Sequence, residues 1–397
     1  MQTSKYNTKS LMDIINRPDL IFVKGHNSWL EDADGKSYLD FMQGWAVNVL
    51  GHCPNEIKET IHKQSELLIN PSPAFYNLPS IQLSSKLVSS SCFDKVFFAN
   101  SGAEANEGAI KLARKWGQIK KNGAYKIITM HNSFHGRTLA TMSASGKQGW
   151  DKKFAPQVDG FYKATLNNIE SVIDLIDNET VAIMLELVQG EAGVILADKL
   201  FVRELRKISQ EKNILLIVDE VQTGMGRTGS LFAYQQFNIE PDIMTLGKGI
   251  GGGVPLSALL CKKNISVFEY GDQGGTYNGN PLCTAVGVTI IDILNSPNFL
   301  NSVNLKADKL SLELNLLANR LNLRGERGLG MLRALILNEY DDGPKIVEMA
   351  RNYNPQGLLI NSPRKDLIRF MPALNITEDE INIMINILEK VIIESRL

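Results

Sequence analysis

From about residue 55 onward, short apolar runs alternate with stretches of helical periodicity, and this alternation leaves few folds open. The runs Val96–Ala99, Lys126–Met130, Val181–Leu187, Leu215–Val218, Ile243–Leu246 and Leu256–Cys261 read as strands. Between them lie helical stretches such as Ala103–Ile119 and Leu200–Glu211. Strands that alternate with helices join through right-handed crossovers into a mostly parallel sheet covered on both faces, an α/β architecture. Ligands of such sheets gather beyond the carboxyl ends of strands. Ser101, His131, Asp219 and Lys248 each lie just past an apolar run, so the pattern predicts that they converge.

The flanks read differently. Trp29–Phe41 alternates on both sides of Asp34-Gly35, a hairpin signal. After about residue 290 the pattern changes to a long amphipathic stretch, Phe299–Leu321, then a glycine-rich turn and a strand, Met331–Leu337. A threonine cap and early acidic residues open a final helix, Thr377–Arg396. These segments predict a smaller α+β domain formed by residues 1–50 and 291–397, beside a large ligand-binding domain over 51–290. A chain of 397 residues suits two or three domains at roughly 150 residues each.

A net charge of −1 gives no field for nucleic acid or a membrane surface. Cys53, Cys92, Cys261 and Cys283 show no paired spacing, which fits a reducing compartment and excludes a disulfide framework. His131 and His135 are four apart, but no further ligands accompany them, so no metal is expected. The first ten residues lack the apolar core of a signal peptide, and no apolar run reaches membrane-spanning length. The expectation is a cytoplasmic protein.

The chemistry concentrates between Asp219 and Lys248. Ile214–Val218 delivers Asp219-Glu220, and Ile243–Leu246 delivers Gly247-Lys248 into a turn rich in glycine. A carboxylate at one strand end and an amine at the next is the pairing that pyridoxal phosphate requires: the amine bonds the cofactor aldehyde, and the acid keeps the pyridine nitrogen protonated. Burial lowers the pKa of a lysine and favours its neutral form. Taken singly, Lys248 also reads as a loop lysine, and Asp219 as a cap or magnesium ligand.

Other segments carry two readings each. Asn100–Asn106 follows a strand and opens a helix, so Ser101 is a cap, and Gly102 and Ala103 present N–H groups to a phosphate. Phe134 reads as a ring to stack on a cofactor or as core. Arg137 reads as a clamp for a carboxylate or as a solvated cation. Thr276, in Gly274–Pro281, offers a hydroxyl or belongs to a plain turn. Arg369, on the run Ile368–Met371, needs a partner if buried, either a ligand carboxylate or an acid such as Glu191, or it faces solvent.

Together these stretches resemble the class III aminotransferases of the fold-type I pyridoxal-phosphate group, acetylornithine aminotransferases above all. The likeness runs from about residue 20 to near the C-terminus, through Gly51–Pro54, Ser101–Asn106, Phe134–Arg137, Gln189–Glu191, Asp219–Gly229 and Thr276–Pro281. It implies a seven-stranded, mostly parallel sheet and pyridoxal 5′-phosphate as cofactor. Lys248 would be the Schiff-base lysine, Asp219 the pyridinium partner, Gln222 the residue bonding the phenolic oxygen, and Phe134 the stacking ring. Gly102 and Ala103, with Ser101, would hold the phosphate, and Thr276 would reach it from the neighbouring subunit of a homodimer. Arg137 would bind the distal carboxylate and Arg369 the α-carboxylate of glutamate, with Glu191 neutralising Arg369 otherwise. Tyr76 matches a substrate-side tyrosine of ornithine aminotransferases. The implied reaction moves a terminal amino group from N-acetylornithine or a close relative to 2-oxoglutarate, in arginine biosynthesis.

Some positions depart from that pattern: Ala103 replaces a threonine, Gly275 a serine that would touch substrate, Leu187 a proline, and Trp45 is bulky near the expected mouth of the site. Ornithine, succinylornithine or 4-aminobutyrate as donor, an aminomutase of the glutamate-semialdehyde type, and a cofactor-binding protein without turnover are the competing expectations.

Overall fold

The computed structural model describes residues 6–397. Near the N-terminus, β1 (Phe22–His26), β2 (Trp29–Asp32) and β3 (Ser37–Asp40) form an antiparallel meander. Gly35, at φ 87°, makes the turn between β2 and β3, a conformation that glycine reaches without strain.

The large sheet contains β4 (Lys95–Ala99), β5 (Lys126–Met130), β6 (Phe161–Ala164) and β7 (Thr180–Leu185). A small ribbon, β8 (Val188–Gln189) with β9 (Ile195–Leu196), follows β7. Then come β10 (Leu215–Asp219), β11 (Ile243–Leu246) and β12 (Ser257–Cys261). The seven strands run in the order β4-β12-β11-β10-β7-β5-β6. All neighbours are parallel except at β12, which is antiparallel to both β11 and β4. Strands β7, β10, β11 and β12 are buried at every position. Helices cover both faces, which is why these segments read as unbroken apolar runs.

Two features of this sheet were not in the apolar pattern. The link 247–256 is too short for the crossover that a parallel strand needs, so β12 returns antiparallel. Strand β6 lies at the edge, with Tyr162 exposed and Lys163 half-buried, and therefore lacks an apolar run. The expected strand Val181–Leu187 instead ends at Leu185, and Val188 starts the small ribbon.

Past the long helix Phe299–Arg320, β13 (Gly325–Leu329), β14 (Leu332–Ile336) and β16 (Leu367–Phe370) form an antiparallel sheet. Between them β15 (Gly357–Leu359) runs parallel to β3 and ties the N-terminal meander to the C-terminal third of the chain. The helix Glu378–Ser395 is capped by Thr377 and Glu380 in a reciprocal box. Glu380 also accepts from Trp29 Nε1 at 2.9 Å and Ser28 Oγ at 3.1 Å, a second tie between the two ends of the chain. No single helix among the described residues is long and apolar enough to cross a membrane.

Candidate active site

Because β12 is the only reversed strand of the large sheet, the carboxyl ends of β4, β5, β7, β10 and β11 share one edge. Asp219 ends β10, and Lys248 follows β11 on the neighbouring parallel strand, where Asp219 is in register with Thr245. The two groups anticipated from the sequence are therefore brought together by adjacent strands.

Asp219 is buried and firmly held. Its Oδ2 accepts from Asn106 Nδ2 at 2.8 Å and faces His135 Nδ1 at 2.8 Å; its Oδ1 accepts from the Val221 N–H at 3.0 Å. Facing a carboxylate that can only accept, Nδ1 is the protonated ring nitrogen. Asn106 is itself fixed, donating to the His135 carbonyl at 2.7 Å and accepting from Thr245 Oγ1 at 2.7 Å. Sequence reasoning assigned no role to Asn106 or His135. The available signal was Asn106 itself, a polar residue on the helix face that carries Ala105, Ala109, Ile110 and Ala113, where burial demands a partner.

Lys248 sits at φ 46°, in the left-handed region, at the start of its glycine-rich turn. It is partly open to the cleft yet surrounded by protein, and its amine makes no hydrogen bond or ion pair among the described residues. Burial, and then repulsion from Arg369, lower it to about 8 against the pull of Asp219, Glu191 and Glu186. An amine near neutrality with no partner is what a covalent cofactor attachment uses.

Arg369 on β16 is fully buried. Asn361 Oδ1 accepts from its Nε at 3.0 Å and Nη2 at 2.7 Å, and Glu191 Oε1 lies 2.9 Å from its Nη1. That last contact is an ion pair rather than an aligned hydrogen bond, so Nη1 remains without a directed acceptor. Burial pushes the Glu191 carboxyl up, but the charge and contact of Arg369 outweigh this and leave it below its ordinary value. Asn361 was absent from the sequence reading; nothing in its surroundings marks it before β16 is paired beside it.

Phe134 is half-buried between Trp150, at 5.7 Å between ring centroids, and the cleft. Its backbone N–H donates to Glu186 Oε2 at 2.9 Å. Burial and the nearby Asp219 raise the Glu186 carboxyl well above the ordinary range. Arg137 is exposed, lies over the Trp150 ring at 5.3 Å, and makes no ion pair among the described residues. Trp150, which the sequence did not single out, is thus the surface on which Arg137 rests.

Ser101 caps the helix Gly102–Lys120 in a reciprocal box with Glu104. Its hydroxyl is used in that cap, while the Gly102 and Ala103 N–H groups meet no acceptor among the described residues. A side chain on Gly102 would come within 2.6 Å of Val221 Cγ1, so the chain passes there only as glycine. Ala103 is small for a similar reason: Gly136, at φ 140°, approaches it closely. Gln222 is buried against Gly190, and its amide nitrogen meets only the weak acceptor Met371 Sδ at 3.9 Å.

Tyr76 and Thr276 are not brought to this group within one chain. Tyr76 is 94% exposed. Thr276 is exposed on its loop, where its carbonyl accepts from Asn70 Nδ2 at 3.4 Å. Gly275 has Asn278 packed against its Cα, 2.7 Å from where a side chain would start. His131 is exposed and only its backbone is engaged: its N–H donates to the Ala164 carbonyl at 2.8 Å and its carbonyl accepts from Gln189 Nε2 at 2.9 Å. Trp45 is 45% exposed, within a turn of left-handed residues from Gln43 to Ala46. No group of metal-ligating side chains occurs among the described residues.

The residues fit pyridoxal 5′-phosphate: an unpartnered amine, an anchored carboxylate, a free helix N-terminus and an aromatic face all end or follow strands at one edge of the sheet.

Residues 14–392 match the family model of the class-III aminotransferases. Acetylornithine aminotransferase 2 of Bordetella pertussis is 63% identical over 392 residues, covering 99% of each chain. The acetylornithine aminotransferase of Ralstonia nicotianae is 60% identical, covering 98% of each. Among solved structures, N-acetylornithine aminotransferase from Stenotrophomonas maltophilia superposes with TM-score 0.83 at 30% identity, over 95% of this chain and 96% of that one. Ornithine aminotransferase from Toxoplasma gondii gives 0.92 at 28% identity, over 98% and 94%.

Proposed function

Because this chain belongs to the class-III aminotransferases and works with pyridoxal 5′-phosphate, we propose that it moves the terminal amino group of N-acetylornithine to 2-oxoglutarate. The products are a semialdehyde and glutamate, and the step belongs to arginine biosynthesis. The observation that carries this reading is the unpartnered Lys248 amine beside the anchored Asp219, on neighbouring strand ends. The substrate rests on the relatives at 60–63% identity, whose names specify acetylornithine.

The bound cofactor supplies an electron sink for the carbon that loses a proton. Lys248 would anchor it and, when its amine is free, would take and return that proton as general base and acid. Asp219, held by Asn106, His135 and Val221, keeps a proton on the ring nitrogen. Phe134 would cover the cofactor ring, Gln222 would bond its phenolic oxygen, and the Gly102 and Ala103 N–H groups would receive its phosphate. Arg137 binds the carboxylate far from the reacting amine. Arg369 takes the α-carboxylate of glutamate, and its ion pair with Glu191 keeps its charge balanced when another donor is bound. Two substrates sharing one site in turn give ping-pong kinetics.

The assembly we infer is a homodimer in which Thr276 of one protomer completes the phosphate site of its partner and Tyr76 approaches substrate. Its support is the exposed apolar surface around both residues. We divide the chain at about residues 50 and 290 and place it in the cytoplasm, where its free cysteines stay reduced.

A half-reaction screen tests the substrate. Holoenzyme is mixed with acetylornithine, succinylornithine, ornithine or 4-aminobutyrate, and the long-wavelength absorbance of the bound cofactor is followed. Acetylornithine should bleach it fastest; a faster response to ornithine or 4-aminobutyrate would replace the assignment. Turnover without 2-oxoglutarate would point instead to an aminomutase.

A further inference from the structure

The loop after Asp219 contains a charge that the chemistry above leaves unused. Arg227 is 1% exposed, and no carboxylate pairs with it among the described residues. Burial alone holds its guanidinium down, to about 9. A buried cation without a counter-charge costs stability, and an apolar side chain of similar volume would avoid that cost.

Its contacts run to one place. Arg227 Nη1 donates to the Met331 carbonyl at 3.2 Å and to the Pro372 carbonyl at 2.5 Å. The Met331 N–H donates back to the Arg227 carbonyl at 2.9 Å. Met331 leads into β14, and Pro372 follows β16, so both carbonyls flank the strand pair in which Ala334 faces Arg369. On the same side of the loop, the Gln222 amide meets Met371. The segment 371–374 is also bonded to the N-terminal part of the chain, through Phe41 and Val49. One guanidinium thus spans the junction between the loop that bears Asp219 and Gln222 and the strand that bears Arg369.

We propose that Arg227 is a positioning residue that fixes the Arg369 strand against the Asp219–Gln222 loop, and thereby sets the affinity for the dicarboxylate co-substrate. The inference rests on the reading of Arg369 as the site of the glutamate α-carboxylate. It predicts asymmetry: displacing Arg369 harms the half-reaction with glutamate, whereas the acyl-amino donor uses Arg137 and is spared.

The test compares Arg227→Met, which keeps bulk and removes the donors, with Arg227→Lys, which keeps charge and one short donor. Each half-reaction is followed on the holoenzyme. In Arg227→Met the cofactor absorbance should be retained, the apparent KM for glutamate should rise about tenfold, and that for acetylornithine should change less than about threefold. Arg227→Lys should recover part of the loss. Equal weakening of both half-reactions would reduce Arg227 to a general structural role, and no change in either would remove it; both outcomes overturn the proposal. If Arg227→Met does not fold, Arg227→Lys decides by the same split. Arg369→Gln is measured in parallel. A glutamate KM unmoved by that change refutes the reading of Arg369 and the proposal with it, whereas a raised value with an unmoved Arg227→Met refutes the proposal alone.

Discussion

Lys248 gains its reactivity from place. A free lysine titrates near 10.5, and burial brings this one to about 8. In the cofactor-free protein, the unfolded chain keeps that proton between the two values while the folded chain has lost it. Raising the pH through this window therefore stabilises the fold, and lowering it below about 8 removes the gain. Amine-reactive labelling of the cofactor-free protein should modify Lys248 with a midpoint near pH 8; a midpoint at 10.5 would contradict the burial argument. Lys248→Ala should lower turnover by at least about 10²-fold, the usual range for a general acid–base group, and ordinary activity in that variant would end the mechanism. Asn361→Ala strips the shared acceptor from two buried donors of Arg369. Denaturant unfolding should register a loss of about 1–3 kcal/mol. That Asp219 and Lys248 stand at strand ends and Arg369 within a strand was legible in the sequence, because each interrupts or ends an apolar run. Asn361 and His135 were not, since what marks them is the partner they meet across the fold.

At the scale of the element, the start of the helix Gly102–Lys120 has one task that is shown, the cap, and a second that is proposed, the phosphate site. Ser101 and Glu104 satisfy each other's backbone donors, which leaves the Gly102 and Ala103 N–H groups for an anion. The first task is visible as a capping pattern in the sequence. The second depends on how close Val221, from the loop after β10, comes to Gly102. Gly102→Ala would force those atoms apart at a cost of about 1–3 kcal/mol. Its expected readout is weaker retention of pyridoxal phosphate on dialysis, with helix content unchanged by circular dichroism; retention equal to the parent protein would show that the contact yields. The strands divide in the same way. Those buried on both faces were readable as apolar runs, while edge strand β6 was not, because one of its sides faces solvent.

Across the whole molecule, the segment 67–78 and the loop 274–281 form an exposed apolar surface. Leu67 is 78% exposed, Phe75 69%, Tyr76 94% and Tyr277 65%. The two segments are bonded together, Asn77 Nδ2 donating to the Gly279 carbonyl at 2.9 Å. Apolar side chains gathered in this way mark a surface that meets another protein, which agrees with the inferred homodimer. Phe75→Asp should sediment as a monomer and lose activity along with Thr276 of the partner; an active monomer would refute site sharing. By itself the sequence determined the alternation of the buried strands with helices and which residue types stand at their ends, because periodicity and residue type are local properties of the chain. The reversal of β12, the donors around Asp219, the Asn361 clamp and the Arg227 junction were decided only when distant segments packed together. Each consists of a contact between segments far apart in the chain, and such contacts leave no periodic trace along it.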